Sequence, residues 1–241
     1  MTTTNSDIPL ARIARVAGVG YLIIFITGIF ANFLVLENLF APGDPATTAH
    51  NILSNEMLFR SAIFSFVIMF LADVVLAWAL YLLLKPVHQN LSLLSGWLRL
   101  VNGAVFGIAL FNLPQVLKIL KGTEYISILE AGQRQAQAML SLHAFNHTWL
   151  VGLVFFGAHL LVLGYLIVKS GYIPRFIGIL LLIAGGGYLI DSLANFLLPV
   201  YQSYQDIFQM LVIIPGVVGE LWFTFWLLLR GSKIDDRRLA L

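Results

Sequence analysis

Six long apolar segments constrain the fold of this chain more than any other feature. Each has about 18 to 24 residues, and a helix of that length crosses the ~30 Å hydrocarbon core of a bilayer. The segments are residues 16–36, 61–84, 100–117, 148–168, 176–198 and 207–229. None shows the alternating pattern of a barrel strand. We therefore expect an all-α, polytopic integral membrane bundle with six transmembrane helices in a single membrane domain, residues 1–241.

Composition supports the membrane class and removes several functions. Hydrophobic residues make up 59% of the chain and charged residues 11%, whereas soluble domains average about 25% charged. The net charge of +2 is spread over helix ends without a basic stripe, so we expect no nucleic-acid partner. Cysteine is absent, which excludes disulfides, thiolate metal sites and thiol nucleophiles. The lipid bilayer is the first expected partner.

The distribution of Lys and Arg predicts the orientation. The polar start with Arg12 and Arg15 precedes an apolar run too long for a signal-peptide core, so we expect a retained first span. Ten basic residues fall on one side of the predicted topology and four on the other, and the richer side is cytoplasmic. This predicts a multi-pass protein of the cell (inner) membrane with both termini in the cytoplasm. The ten are Arg12, Arg15, Lys85, Arg99, Lys169, Arg175, Arg230, Lys233, Arg237 and Arg238. The four are Arg60, Lys118, Lys121 and Arg134.

Two features of the loops complete the predicted topology. Residues 124–142 are rich in Ala, Gln and Leu, which predicts a surface helix on the outer side. Three inward-running spans end alike, at Tyr81–Lys85, Tyr165–Lys169 and Trp226–Arg230. This favours three tandem hairpins, although aromatic belts and positive-inside bias impose the same pattern on unrelated helices. Both explanations stay open.

Ionisable and amide side chains inside the spans are the candidate site, because charge in lipid is costly and tends to be functional. At 1.5 Å per residue, Asp73, His159 and Glu220 lie roughly 15–18 Å from the inner ends of their spans, near the midplane. A second layer, roughly 20–25 Å deep, contains Asp191. The candidate residues for binding a ligand or ion are Asp73, His159, Asp191, Glu220, Asn32, Asn112, Asn195 and Arg99.

Glycine spacing predicts which way some of these side chains point. A glycine four residues before a polar residue shares its helix face, and small residues mark faces where helices pack closely. The pairs are Gly28 and Asn32, Gly187 and Asp191, and Gly216 and Glu220. No Lys or Arg lies deeper than Arg99 in the predicted spans, so we expect the carboxyl groups to have no cationic partner. Such groups bind a proton or a cation, or form hydrogen bonds as neutral acids.

A histidine pair offers a different chemistry. His143 and His147 have the i, i+4 spacing that places two imidazoles on one helix face, as metal sites require. Asp191 in the outer layer is the third candidate ligand. The sequence itself requires no cofactor, and no phosphate-binding glycine loop or nucleophile-elbow serine is present.

Several motifs carry a resemblance to a known family. They are the stretch from Lys169 to Gly178, the stretch from Ala184 to Asp191, and the stretch from Gly219 to Gly231. With Tyr81–Pro86 and the region of Arg99, they resemble the bacterial membrane-protein family "domain of unknown function 4386" over nearly the whole chain. The resemblance implies a small multi-helix integral membrane protein and implies no particular reaction.

Three functions remain open at this point. The first is a binding or transport protein that holds a proton, a cation or a small polar ligand in an intramembrane polar cavity. The second is a metal-assisted intramembrane enzyme, such as a lipid hydrolase, built on the histidine pair. The third is a structural or partner-binding subunit, for which glycine-lined faces would serve a homo-oligomer.

Overall fold

The computed structural model describes residues 9–231, and this part of the chain is helical without a β-strand. Helix α1, Leu10–Leu39, is α-helical over Leu10–Gly28 and π-helical over Ile29–Leu36. The other helices are α2 (Pro45–Ser54), α3 (Glu56–Leu84), α4 (Gln89–Leu110), α5 (Asn112–Lys121), α6 (Ala131–Ser170), α7 (Arg175–Leu197) and α8 (Gln205–Leu229).

Five helical stretches in the described part are long and apolar enough to cross a membrane. They are Leu10–Leu39, Glu56–Leu84, Gln89–Lys121, Ala131–Ser170 and Arg175–Leu197, and a shorter apolar helix covers Pro215–Leu229. Large apolar side chains such as Phe64, Leu71 and Leu229 are 65–70% exposed, as expected of a surface that meets lipid. These helices support the membrane class, while the count of six spans and the side of each terminus stay predictions. Lys233, Arg237 and Arg238 lie outside the described residues.

Helix α4 begins at Gln89, well before the predicted start of the third span at residue 100. The nitrogen Nδ1 of His88 accepts the main-chain N–H of Leu91 at 3.2 Å and so caps the new helix. The hydroxyl of Ser92 then donates to the carbonyl oxygen of Tyr81 at 2.8 Å, which ties the first turn of α4 to α3. Polar residues after Lys85 therefore belong to the helix and not to a long loop.

Helix α6 is continuous from Ala131 to Ser170. The structure therefore has no break between the predicted surface helix, residues 124–142, and the predicted span, residues 148–168. A short 3₁₀ turn over Glu124–Ile128 precedes the helix. No proline interrupts residues 131–170, so the helix extends without a stop signal between its polar and apolar parts.

The turn between α6 and α7 is fixed by its own side chains. Gly171 has a φ of 72°, a left-handed conformation that glycine adopts without strain. The hydroxyl of Ser170 accepts the N–H of Ile173 at 3.2 Å. The hydroxyl of Tyr172 donates to the carbonyl oxygen of Leu83 at 2.6 Å, at the end of α3. These contacts explain the Ser-Gly-Tyr-Ile-Pro motif.

The chain divides into two compact units. The described residues of unit 1 are 9–22, 73–101 and 153–231. Within this unit α7 packs along α8. Its fully buried apolar side chains include Leu76, Leu83, Leu160, Leu163 and Phe223. Burial of such a side chain contributes about 1.5–3 kcal/mol relative to exposure in water. Between helices in lipid this hydrophobic driving force is absent, so close packing of side chains stabilises the helix contacts instead.

Unit 2 contains Ile23–Ala72 and Asn102–Gly152. Its core is aromatic. The rings of Phe106 and Trp149 stack with centroids 3.7 Å apart, and Phe66 lies 5.5 Å from the same Trp149 ring. The ring of Phe145 also lies 5.5 Å from that of Trp149. Aromatic pairs of this kind contribute about 0.5–1.5 kcal/mol beyond their buried area.

Candidate functional site

Arg99 is the centre of a buried polar cluster in unit 1. Its Nε and Nη2 lie 2.8 and 2.6 Å from Oδ1 of Asp73 on α3. The two residues are only 2% and 7% exposed. Because α4 begins at Gln89, Arg99 lies about 15 Å along the helix, at the depth predicted for Asp73. The expectation that the carboxyl groups lack a cationic partner is therefore wrong for Asp73.

His159 on α6 extends the cluster and has a defined tautomer. Its Nε2 lies 3.1 Å from Nη1 of Arg99, and a guanidinium can only donate, so Nε2 accepts. The proton is then on Nδ1, which lies 2.8 Å from the carbonyl oxygen of Ser95 and 3.0 Å from its hydroxyl. His159 is fully buried. The hydrogen bonds therefore define a neutral imidazole that links Arg99 to the backbone of α4.

Two aromatic rings flank the guanidinium. Cζ of Arg99 lies 5.2 Å from the ring centroid of Tyr21 on α1 and 5.6 Å from that of Phe156 on α6. Tyr21 is fully buried against the edge of Phe223, at 5.6 Å, and its hydroxyl has no hydrogen-bond partner of standard geometry. Cation–π contacts of a desolvated Arg contribute about 2 kcal/mol. The rings thus help to hold the charge of Arg99 away from water.

Glu220 on α8 is the second carboxyl near the cluster. Arg99 and Asp73 are its electrostatic neighbours, yet it forms no ion pair with Arg99. Its Oε1 is buried and has no hydrogen-bond partner, although the residue as a whole is only half-buried. Glu220 therefore faces the interior of unit 1, as its spacing from Gly216 predicts. A buried carboxyl oxygen without a partner is unusual and calls for a ligand or a proton.

Four glycines bring the backbone of α6, the helix that contains His159, into contact with that of α7. A Cβ atom on Gly164 would lie 2.6 Å from the carbonyl oxygen of Gly178. One on Gly185 would lie 2.8 Å from the carbonyl oxygen of Gly157. Only glycine allows helices to approach this closely. The glycines that the sequence analysis assigns to packing faces do not include these four. Gly157 and Gly164 are seven residues apart, as are Gly178 and Gly185, and this repeated spacing in two consecutive spans was a signal of close packing.

Asp191 on α7 lies in a separate contact near the end of that helix. The hydroxyl of Tyr201, in the loop before α8, donates to its Oδ1 at 2.7 Å, and both residues are buried. Asn195 lies beside the same hydroxyl. Burial of the Tyr201 phenol, followed by its hydrogen bond to Asp191, raises the pKa of Tyr201 to about 12. The predicted outer residues Asp191 and Asn195 thus do come together.

Tyr188 on α7 is near both carboxyl groups. Glu220 and Asp191 are its electrostatic neighbours. Its ring meets that of Phe156 edge-on, with centroids 5.2 Å apart, and its hydroxyl lies 3.6 Å from the position of a Cβ on Gly216. The predicted site residues do not include Tyr188. An aromatic residue in the middle of an apolar span carries no signal of such a role.

Two predicted site residues lie in unit 2 and make local contacts. Nδ2 of Asn32 lies 3.5 Å from Oε1 of Glu37 in the same helix. Nδ2 of Asn112 donates to the carbonyl oxygen of Ala109 at 3.0 Å. Each of these amides therefore contacts a group three to five residues away in the sequence, and neither has a recorded contact with the cluster around Arg99.

The proposed metal ligands form no metal site within the part of the chain that the structure describes. His143 and His147 do share one face of α6, with ring centroids 6.4 Å apart, and both are exposed. Asp191 is engaged by Tyr201 in unit 1, whereas the histidine pair is in unit 2. Among the residues that the structure describes, no group of three or more His, Cys, Asp or Glu could hold a metal ion. The geometry therefore lends the metal-dependent enzyme no support.

The fold and the site together define a helical membrane protein with a buried ion-pair cluster. Residues 16–231 match the family "domain of unknown function 4386", and the chain belongs to this family. A protein of Archaeoglobus fulgidus, described as uncharacterized, is 34% identical over 180 residues, which is 73% of this chain and 90% of that protein. No solved structure matches the chain.

Proposed function

We propose that this protein is a membrane binding or transport protein that takes up and releases a proton at Glu220. The observation that carries the proposal is the buried Oε1 of Glu220, which has no hydrogen-bond partner beside the Arg99–Asp73 pair.

The charges of the cluster favour this role for Glu220. Asp73 neutralises Arg99 through two contacts to one oxygen. His159 is neutral because its Nε2 accepts from Arg99 and its Nδ1 donates to Ser95. Glu220 is then the remaining carboxyl of the cluster, and its ionisation would leave one uncompensated negative charge. Uptake of a proton removes that charge without rearranging the pair.

A proton fits this site better than a metal cation. Hard divalent cations require about six or more oxygen ligands, or several waters with carboxylates. Among the described residues, no group of three or more His, Cys, Asp or Glu side chains could hold a metal ion. A proton requires one carboxyl oxygen and a route, so the site as built favours proton binding over cation binding.

Tyr188 supplies a step of that route. Its hydroxyl is an electrostatic neighbour of Glu220 and of Asp191, and a phenol can both donate and accept. Asp191 in turn accepts from Tyr201, which precedes α8. In the proposed route, a proton exchanges between Glu220 and Asp191 by way of Tyr188, which interacts electrostatically with both carboxyl groups. The location of both termini in the cytoplasm is also part of the proposal, because only the distribution of Lys and Arg along the sequence supports that location.

Infrared difference spectroscopy on protein in lipid nanodiscs, between acid and alkaline buffers, tests the proposal. We expect a protonated-carboxyl band that titrates with pH in the wild type and is lost in Glu220→Gln. Glu56→Gln is the matched control, because Glu56 is a carboxylate already paired to Arg60 and Lys121 at 2.8 Å. Its spectrum should keep the band.

A functional assay complements the spectrum. Proteoliposomes that contain the wild type should exchange protons at least about tenfold faster than those with Glu220→Gln. An unchanged band and an unchanged flux in Glu220→Gln would together rule the proposal out and favour a structural subunit.

A further inference from the structure

A groove of about 500 Å³ runs between α3 and the end of α5, entirely within unit 2. Apolar side chains form its floor, and basic side chains stand at one end. Ile63, Phe64, Val67 and Leu117 line the floor, and the basic side chains include Lys118 and Lys121. The groove lies outside the Arg99 cluster and takes no part in the proposed function.

The basic end of the groove is positively charged beyond what its one acid compensates. Oε1 of Glu56 accepts from Nε of Arg60 and from Nζ of Lys121, both at 2.8 Å. Lys118 forms no ion pair within the described residues. Three cations and one carboxylate leave a net charge of +2, so this end is complementary to an anion.

The groove lies near the start of α3 and the end of α5, a position that suits the binding of a lipid. α3 begins at Glu56 and α5 ends at Lys121, and both helices belong to stretches apolar enough to cross a membrane. The charged end therefore lies at the level of lipid headgroups and the floor faces the hydrocarbon. Phe64 and Val67 on the floor are 65% and 38% exposed.

Helix-end electrostatics explain only part of this arrangement. Lys118 and Lys121 lie in the last turn of α5 and Glu56 in the first turn of α3, where their charges complement the helix dipoles. Those interactions require no apolar groove beside them. The joint presence of a hydrocarbon-lined floor and an unpaired lysine at its end points to an amphiphile.

We propose that this groove binds an anionic phospholipid. Its phosphate would lie against Lys118 and Lys121, and one acyl chain along Ile63, Phe64 and Leu117. Each Lys or Arg near a membrane surface contributes roughly 1 kcal/mol to binding anionic lipid, which corresponds to about fivefold in affinity. Lys118 is the most informative residue because its replacement breaks no ion pair.

Native mass spectrometry of the purified full chain, titrated with phosphatidylglycerol or phosphatidylcholine in detergent, tests the site. We expect the wild type to retain phosphatidylglycerol at least about tenfold better than phosphatidylcholine. Lys118→Gln should weaken phosphatidylglycerol binding about fivefold. Val67→Trp, which fills the floor without changing charge, should weaken it at least as much. Lys85→Gln is the matched control, an exposed lysine beyond the end of α3, and should bind as the wild type does.

Three outcomes would overturn the proposal. Equal retention of both lipids would remove the charge recognition. Equal weakening by Lys85→Gln and Lys118→Gln would show a nonspecific effect of surface charge. Competition by millimolar inorganic phosphate in place of lipid would identify a simple anion site. Circular dichroism of each variant establishes that the helices are intact, so loss of folding cannot imitate loss of binding.

Discussion

Asp73 and Arg99, 26 residues apart on α3 and α4, form a buried ion pair in which two guanidinium nitrogens approach one carboxylate oxygen. Removing one partner of such a pair leaves a charge uncompensated in a low dielectric, whereas removing both does not. The pair therefore makes a specific prediction about single and double variants.

Asp73→Asn should lower the free energy of unfolding by about 3–5 kcal/mol, because the charge of Arg99 loses its counter-ion. The double variant Asp73→Leu with Arg99→Met should recover most of that loss. Arg60→Gln, which breaks an exposed pair with Glu56, should cost only roughly 0–1 kcal/mol. Unfolding by denaturing detergent measures all three. A single variant as mild as Arg60→Gln would contradict the buried pair.

His159 should be a neutral imidazole with its proton on Nδ1. The reason is that Arg99 can only donate to Nε2, so Nδ1 must donate to the carbonyl oxygen of Ser95. Nitrogen-15 NMR of histidine-labelled protein distinguishes the two tautomers by chemical shift. His143, which is exposed, provides the reference for a solvated ring. A signal with both nitrogens of His159 protonated would show that the hydrogen-bond assignment is wrong.

Gly164→Ala should destabilise the protein by about 1–3 kcal/mol. Its Cβ would meet the carbonyl oxygen of Gly178 at 2.6 Å, so α6 and α7 would have to separate. Gly186→Ala is the control, since a Cβ there meets nothing within 4 Å. It should be neutral or stabilising by up to about 1 kcal/mol. Thermal unfolding of both variants decides the matter, and equal effects would refute the backbone contact.

Tyr201 should make stability sensitive to alkaline pH. Its pKa is raised to about 12 in the folded protein, whereas an unfolded tyrosine titrates at about 10. The unfolded chain therefore loses this proton first as pH rises. The stabilisation is fully present below pH 10 and is lost between about pH 10 and 12. Tyr201→Phe should show a smaller loss of stability over this range than the wild type. Identical pH profiles for the two proteins would exclude the contribution of Tyr201.

The place of Arg99 shows what could have been recognised from the sequence alone. Ser92, Ser95 and Arg99 are spaced three and four residues apart, which puts them on one helix face. All three are buried. The predicted span begins at residue 100 because Arg99 is charged, and a helix start at Gln89 would have placed it near Asp73. Arg99 can be buried because Asp73 supplies the opposite charge.

Length, hydropathy and spacing were sufficient to predict an all-helical bundle of the membrane type, whereas the depths of Asp73, His159 and Glu220 stay predictions. These follow from local properties, since a helix rises 1.5 Å per residue and lipid excludes unpaired charge. Family membership was also recognisable from the Ser-Gly-Tyr-Ile-Pro turn and the motifs around it.

Only the tertiary structure decided which of these side chains meet. Asp73 pairs with Arg99, His159 accepts from the same guanidinium, and Glu220 keeps a buried oxygen without a partner. Such contacts depend on which helix faces oppose each other, and the spacing within one helix cannot specify its neighbour. The close crossing at Gly164 and Gly178 is a further example, because the sequence does not show which backbone a given glycine contacts.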